Sequence, residues 1–259
     1  IHSAALAVEK LCSLQHPDGW WKAELETNVT MDAEDMLLRE FLGVRKPNAT
    51  ARAAEWIRSH QREDGSWSLF FGGPADLSTS VEAYVALRLA GDDPDAEHMR
   101  RAGKLIRELG GLQKARVFTR IWMALFGLWD WEQLPVMPPE MVFLPSWAPL
   151  NIYDFACWAR QTIVPLTIVF AHRPVRPLAF DIDELHGTEP FTPPAGETLM
   201  AKGLARLDRF LHVYEHLPWH PLREQAMARA ERWIVQRQEA DGSWGGIQPP
   251  WVYSMIALH

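Results

Sequence analysis

Two acidic runs are the first places where this chain could do chemistry. Asp181-Ile182-Asp183-Glu184 and Asp92-Asp93-Pro94-Asp95 each gather carboxylates that could serve as general acid and base or hold a divalent cation. A working acid must be buried to keep its proton, whereas a charged run in a Pro-rich stretch is normally solvated. The first is therefore read as a surface run. The second, with Pro94 inside it and an amphipathic stripe after it, is read as a turn and helix cap. Only Cys12 and Cys157 occur, far apart, which gives neither a disulfide framework nor a paired-thiol zinc site, and 10 His fall without ligand spacing. No metal and no cofactor are expected. The abnormal number is 13 Trp against 4 Tyr, an excess that needs a structural or chemical role.

The elements that must position any site are helices. Val81, Tyr84, Val85 and Leu89 form one stripe, closed by Gly91; Met99, Ala102, Ile106 and Leu109 form the next, capped by Asp95. Segment 117–129 is apolar almost all round, as an inner helix should be. Segment 30–42 reads as a helix capped by Thr30 and closed by Gly43, and segment 151–170 as one that starts at Asn151 and kinks at Pro165. Residues 173–197, with Pro174, Pro177, Pro190, Pro193 and Pro194, read as a long surface loop. A helix over 198–217 follows, with Met200, Leu204, Leu207, Leu211 and Tyr214 on one stripe and Lys202, Arg206 and Arg209 elsewhere. Helices of two kinds, buried all round or amphipathic, predict two concentric layers: an all-α fold, an α/α barrel or toroid, as one domain over 1–259.

Composition sets the outer limits. With 259 residues, 47% apolar and 23% charged, the chain is a globular body rather than a disordered or collagen-like one. A net charge of −7 argues against nucleic acid as a partner. The apolar stretch Thr162 to Ala171 is about half the length of a spanning helix, so integral insertion is not expected and peripheral attachment stays open. No targeting signal is visible at Ile1-His2-Ser3, and the sparse Cys usage suits a reducing, cytoplasmic interior.

An internal repeat sharpens the fold. Gln15 to Trp21, Gln61 to Trp67 and Gln238 to Trp244 all read Q-x-x-D-G-x-W, and Trp56-Ile57 and Trp233-Ile234 precede the second and third copies at the same distance. A helix ends near the Gln, Asp-Gly turns the chain, and the indole packs back on the preceding helix, where the amide can bond exposed carbonyls or the indole N–H. Repeats of this kind build rings or solenoids.

These repeats resemble the QW motifs of the squalene–hopene cyclase and oxidosqualene cyclase family. Asn28 to Glu34, Gly73-Pro74 with Asp76-Leu77, Ser80 to Tyr84, Arg116 to Arg120, Pro149 to Tyr153 and Gly245 to Trp251 extend the resemblance over essentially the whole chain, on its bacterial hopene-cyclase side. The resemblance implies a class II terpene cyclase, an isomerase that protonates a terminal alkene of squalene or a related polyprenyl chain and guides the carbocations in an aromatic-lined cavity. It places this chain as the inserted N-terminal α-barrel domain. The family's protonating Asp-x-Asp-Asp motif lies on the other domain, and Asp181-Ile182-Asp183-Glu184 is only an imitation of it. No catalytic residue is therefore expected here, and the chain is expected to be a fragment or subunit, inactive alone, that needs a C-terminal catalytic domain in cis or in trans.

By the same resemblance, Trp158 presents a cation-stabilising face, Ile247, Gln248 and Pro249 line the cavity, and Phe155, one turn before Trp158 on the same helix face, marks a constriction in the entrance. Glu34, Glu82 and Arg116 form a polar network that could order a water or a base. Their alternative role is a buried ion cluster, with Glu82 as the carboxylate at the third helical position of a capping box with Thr79. Apart from Trp20 and Trp251, the other Trp residues read as packing and turn contacts. The family's place on one membrane leaflet makes the 198–217 helix either a core-facing helix or a membrane-dipping one on the inner surface. The rival reading is a non-catalytic α-toroid that serves as scaffold or lipid-binding subunit. A prenyltransferase β-subunit barrel would need a zinc set that neither Cys offers.

Overall fold

A computed structural model describes residues 2–21, 28–193 and 198–259, and among these the chain forms ten α-helices and no β-strand. They are α1 His2–Ser13, α2 Val29–Phe41, α3 Pro47–Ser59, α4 Leu77–Ala90, α5 Glu97–Glu108, α6 Val117–Leu125, α7 Cys157–His172, α8 Leu199–Glu215, α9 Arg223–Val235 and α10 Gln248–Leu258. None is long and apolar enough to cross a membrane. Burial sorts them into the two layers. Helix α4 buries every residue from Ser78 to Leu87 and α6 every residue from Thr119 to Leu125, whereas α3, α5 and α9 bury only single stripes such as Met99, Ala102, Gly103 and Ile106. The all-α toroid expected from the sequence is the observed architecture.

The inner helices run parallel, because contacts join their first turns. The Thr30 hydroxyl donates to Thr79 at 3.2 Å, linking α2 to α4, and the Arg116 N–H donates to Ser78 Oγ at 2.8 Å, linking α4 to α6. Gly245, just before α10, lies against the Gln161 amide in the second turn of α7. The starts of α2, α4, α6, α7 and α10 therefore share one rim.

The three Q-x-x-D-G-x-W turns have one geometry. Indole N–H groups of Trp21, Trp67 and Trp244 donate to the carbonyls of Leu11, Ile57 and Ile234 at 2.7, 2.7 and 2.8 Å. The Gln amides bond the turn glycine's carbonyl rather than the indole, at 2.8, 3.0 and 3.0 Å. Gly65 takes φ +90°, and a Cβ there would lie 2.7 Å from the Arg101 backbone, so no other residue fits. Burial separates the copies: Trp67 is 1% exposed, and Trp21 is 53% exposed at the end of α1, which buries no residue.

Several caps differ from expectation. Helix α2 is capped by Asn28, whose side chain accepts from Thr30 N–H, and not by Thr30. Asp95 does not cap α5: its own N–H donates to Asp93, and Ala96 holds the cap position. Asn151 closes a turn onto Tyr153 N–H, and α7 starts six residues later, at Cys157. Segment 117–129 ends its helix at Leu125, before Gly127 at φ +75°. At α2 the Thr30 hydroxyl is drawn instead to Thr79, and before α5 and α7 the polar residues close turns of their own.

The Pro-rich stretch is a strap rather than a loose surface loop. Ile182 and Leu185 are buried, Phe180 and Phe191 pack on the core, and Arg176 donates to the Phe41 carbonyl at 2.7 Å. Glu184 accepts from Tyr84 Oη at 2.7 Å and Arg88 Nη1 at 2.6 Å, while Asp181 and Asp183 are exposed, so the acidic run is structural. Gly111, at φ +72°, passes so close to Gly187 that a Cβ there would meet its nitrogen at 2.1 Å. Pro194 and Glu197, included in the expected loop, lie outside the described residues.

Trp67→Ala should destabilise the domain by about 3–5 kcal/mol, the usual cost of emptying a buried Trp site. Trp21→Ala, which loses the same hydrogen bond at a half-exposed site, should cost about 1 kcal/mol. Urea unfolding of both variants checks the contrast, and equal losses would mean that the turns act through their hydrogen bonds alone.

Candidate functional site

The shared rim puts one residue of each inner helix at the same depth. Counting from Val29, Leu77, Val117 and Gln248, the sixth residues of α2, α4, α6 and α10 are Glu34, Glu82, Trp122 and Tyr253, all buried. The rings of Trp122 and Tyr253 stand 6.3 Å apart between their centroids. Two carboxylates thus sit in an apolar layer just inside the rim. The cap of α4 is what sends Glu82 there. Asp76, not Thr79, is the N-cap, accepting from Thr79 N–H at 2.7 Å. The expected capping box is therefore overturned: Glu82 lies one turn deeper, 1% exposed, and accepts from the Thr119 hydroxyl.

Electrostatics follow from the burial. Desolvation raises the Glu34 pKa to about 7, against donors of Gln248 and Trp122 and the charge of Arg116, which lower it. Among the described residues, neither the Gln248 Nε2 nor the Trp122 Nε1 completes a hydrogen bond, and Glu82 Oε2 and Ser254 Oγ are likewise buried without a partner. Desolvation and the neighbouring Glu34 raise Glu82 to about 8, with Thr119 and Arg116 opposing. Burial and both carboxylates also push the Tyr253 phenol up. Arg116 itself is tied to Asp76 at 3.3 Å. Burial thus favours the protonated form of both carboxyls and moves their titration towards neutral pH, where a proton can be taken up or released.

The remaining candidates lie on the rim. Trp158, the second residue of α7, is 59% exposed. Phe155 precedes α7 and is half-buried, so it is not one turn before Trp158 on a helix face as the sequence suggested. Ile247 holds the cap position of α10 and is exposed, while Gln248 and Pro249 open that helix half-buried. The carboxylates, Arg116 and Gln248 come together, and Trp158 and Ile247 belong to the adjoining starts of α7 and α10. Thr119, Trp122, Tyr253 and Ser254 were missed. Only Thr119 carries a sequence signal, as a hydroxyl inside an apolar run.

The squalene-hopene cyclase N-terminal domain family matches residues 4–259 of the chain. A squalene–hopene cyclase of Alicyclobacillus acidocaldarius subsp. acidocaldarius is 46% identical over 257 residues, covering 97% of this chain and 40% of the relative. Dammaradiene synthase of Dryopteris crassirhizoma is 36% identical over 96% of this chain and 37% of its own length. A squalene–hopene cyclase of Zymomonas mobilis subsp. mobilis is 38% identical over 94% and 38%. The chain thus spans about 40% of the length of the curated relatives it matches.

Because folding raises both carboxylate pKa values, the folded state binds more protons than the unfolded one. The contribution of these two groups to stability should be full below about pH 4.5, the ordinary glutamate value, and should be lost as pH rises through the raised values of about 7 and 8. Glu82→Gln should flatten that decline in urea titrations between pH 5 and 8. An unchanged slope would place the titrating groups elsewhere.

Proposed function

The chain belongs to the squalene–hopene cyclase family through that family's N-terminal domain, and from this premise we propose that it forms one wall of a carbocation-guiding cavity. The reaction is proton-initiated polycyclisation of squalene or a related polyprenyl chain. The protonating acid belongs to the remainder of the enzyme, in cis or in trans, and residues 1–259 act as one α/α domain that is inactive alone. The observation that carries this reading is the dry carboxylate layer, able to hold protons, beneath an aromatic and apolar rim.

Roles follow from chemistry at each position. An indole face stabilises a cation without attacking it, which suits Trp158. Ile247 and Pro249 shape the wall, and Phe155 narrows the entrance. Glu34 and Glu82, beside Arg116 and Gln248, order a water or take the proton that ends the cascade. A cation-guiding cavity must exclude water, so a rim with Trp158 as exposed as it is here calls for a covering domain.

Peripheral membrane attachment through α8 completes the proposal. This helix buries no residue, and its Leu199, Met200, Phe210 and Val213 are exposed. The stripe expected from the sequence is turned partly inwards: Leu211 and Tyr214 are half-buried, and Tyr214 Oη donates to Glu140 at 2.9 Å. An uncovered apolar face with Lys202, Arg206 and Arg209 nearby suits anionic lipid on the inner membrane surface.

In the full-length cyclase, Trp158→Ala should lower turnover roughly 30-fold, from about 2 kcal/mol of lost cation–π stabilisation in a dry site, or release partly cyclised products. Trp158→Phe should recover much of the loss. Wild-type rate and product profile in Trp158→Ala, read by gas chromatography with mass spectrometry, would sink the assignment.

The wild-type chain should co-sediment with phosphatidylglycerol-rich liposomes in a salt-sensitive way, and Phe210→Glu with Val213→Glu should abolish this while circular dichroism stays unchanged. A wild type that remains in the supernatant ends the membrane claim.

A further inference from the structure

Helix α8 buries no residue, and among the described residues its polar links to the body all lie between Asp208 and His216. At the end of that span, Arg223 of α9 bonds Glu140 at 2.8 Å and Glu215 at 2.7 Å, and His220 Nε2 lies 3.0 Å from the Tyr214 carbonyl. This end is a fixed clamp, since a guanidinium keeps its proton where imidazoles titrate. The middle of the helix is held differently. His212 Nδ1 lies 2.9 Å from the Asp208 carbonyl, and its Nε2 lies 3.2 Å from the Glu132 carbonyl in the turn Trp131–Gln133. A neutral imidazole carries one N–H and can donate to only one of these oxygens, whereas the imidazolium donates to both.

The surrounding charges favour the same form. Asp208 Oδ2 is 3.5 Å from Nδ1, and Asp208 Oδ1 accepts from Val136 N–H at 2.9 Å. Glu132 gives Oε1 to Arg173 and turns Oε2 towards His216 Nε2 at 3.5 Å, one turn beyond His212. Desolvation opposes, but Arg173, His216 and His212 hold the Glu132 carboxyl below its usual range, so it stays a carboxylate where imidazoles change charge. The charge of Arg173 works against an imidazolium, and its bond to Glu132 offsets that. His216 is largely exposed, so its contact is the weaker one.

We propose that His212 is a pH-sensitive latch: protonated, it seats α8 on the Trp131–Gln133 turn, with His216 in support; deprotonated, it lets the helix swing outward about the Arg223 clamp. The docked helix binds the proton more tightly than the open one. Docking is therefore complete at acid pH and is lost as pH rises through the histidine range. Opening adds the half-buried Leu211 to the apolar surface that α8 already shows. The latch rests on the contacts of α8 alone and on neither the cyclase nor the membrane reading.

Hydrogen–deuterium exchange of the full chain between pH 5.5 and 8.5, corrected for intrinsic rates, tests it. Protection of α8 from Ala205 to Val213 should fall roughly fivefold or more relative to α4, the worth of about one hydrogen bond. Helix α4 reports opening of the whole domain and so removes the effect of the carboxylate layer. Nitrogen-15 spectra should show both His212 ring nitrogens protonated at pH 5.5, with one proton lost at the midpoint of the α8 change. His212→Gln, which keeps one N–H donor, should leave α8 loosened at every pH, and His216→Gln should keep most of the transition. Wild-type α8 that follows α4 at every pH, an undiminished transition in His212→Gln, or its loss in His216→Gln would each overturn the proposal. If His212→Gln does not fold, the wild-type ring titration decides: a ring neutral throughout, or one that titrates apart from the α8 change, refutes the latch.

Discussion

The joint between the second tryptophan turn and the start of α4 is the contact on which the rest of the site depends. The Trp67 N–H donates to Ser80 Oγ at 3.1 Å, the Ser80 hydroxyl donates to the Asp76 carbonyl at 2.7 Å, and the Asp76 N–H donates to the Trp67 carbonyl at 2.9 Å. The Asp76 side chain meanwhile caps the helix and holds Arg116. A cap alone is worth about 1 kcal/mol, and each bond a similar amount, so their energy is modest. Their geometric effect is larger. Starting α4 three residues later would move every side chain by about 4.5 Å along the axis relative to the first turn and rotate it by about 300°. Glu82 would leave the layer it shares with Glu34, and with it the burial and the neighbouring carboxylate that raise its pKa.

Burial in this domain is uneven, in a pattern that suits a part of a larger wall. The inner helices α4 and α6 are covered on all sides over most of their length. Large apolar side chains remain outside at α1, at the starts of α7 and α10 and along α8. Contiguous exposed apolar surface on a soluble body marks places where something else docks. The lock geometry of the α1 turn is complete even though Trp21 is half-exposed, so the hydrogen bonds of the turn do not depend on the depth of its burial.

Much of the fold was legible. The repeat gave the lock, because Gln, Gly and Trp act within ten residues of one another, and the all-round apolar runs gave the inner layer. Caps were less legible. Asn28 and Thr30, or Asp76 and Thr79, are competent cap residues a few positions apart, and contacts with another helix tie down the first turn of each. The strap was hidden for a related reason: Ile182, Leu185 and Phe191 have no period, and they find the core one at a time. Residues of the carboxylate layer were reachable only through resemblance, since periodicity says nothing about Glu34 meeting Glu82.

Parallel inner helices arranged in a ring have a consequence for the order of assembly. The tryptophan locks join residues close in sequence, so their loop-closure cost is small, and they can form while the ring is open. The approach of Gln248 to Glu34 joins opposite ends of the chain and requires α2 and α10 to close the circle. The dry layer therefore exists only in the closed ring. In an open intermediate, water would reach Glu34 and Glu82, and both would ionise as ordinary carboxylates. Ring closure and the burial that favours the protonated form of this pair are thus one event.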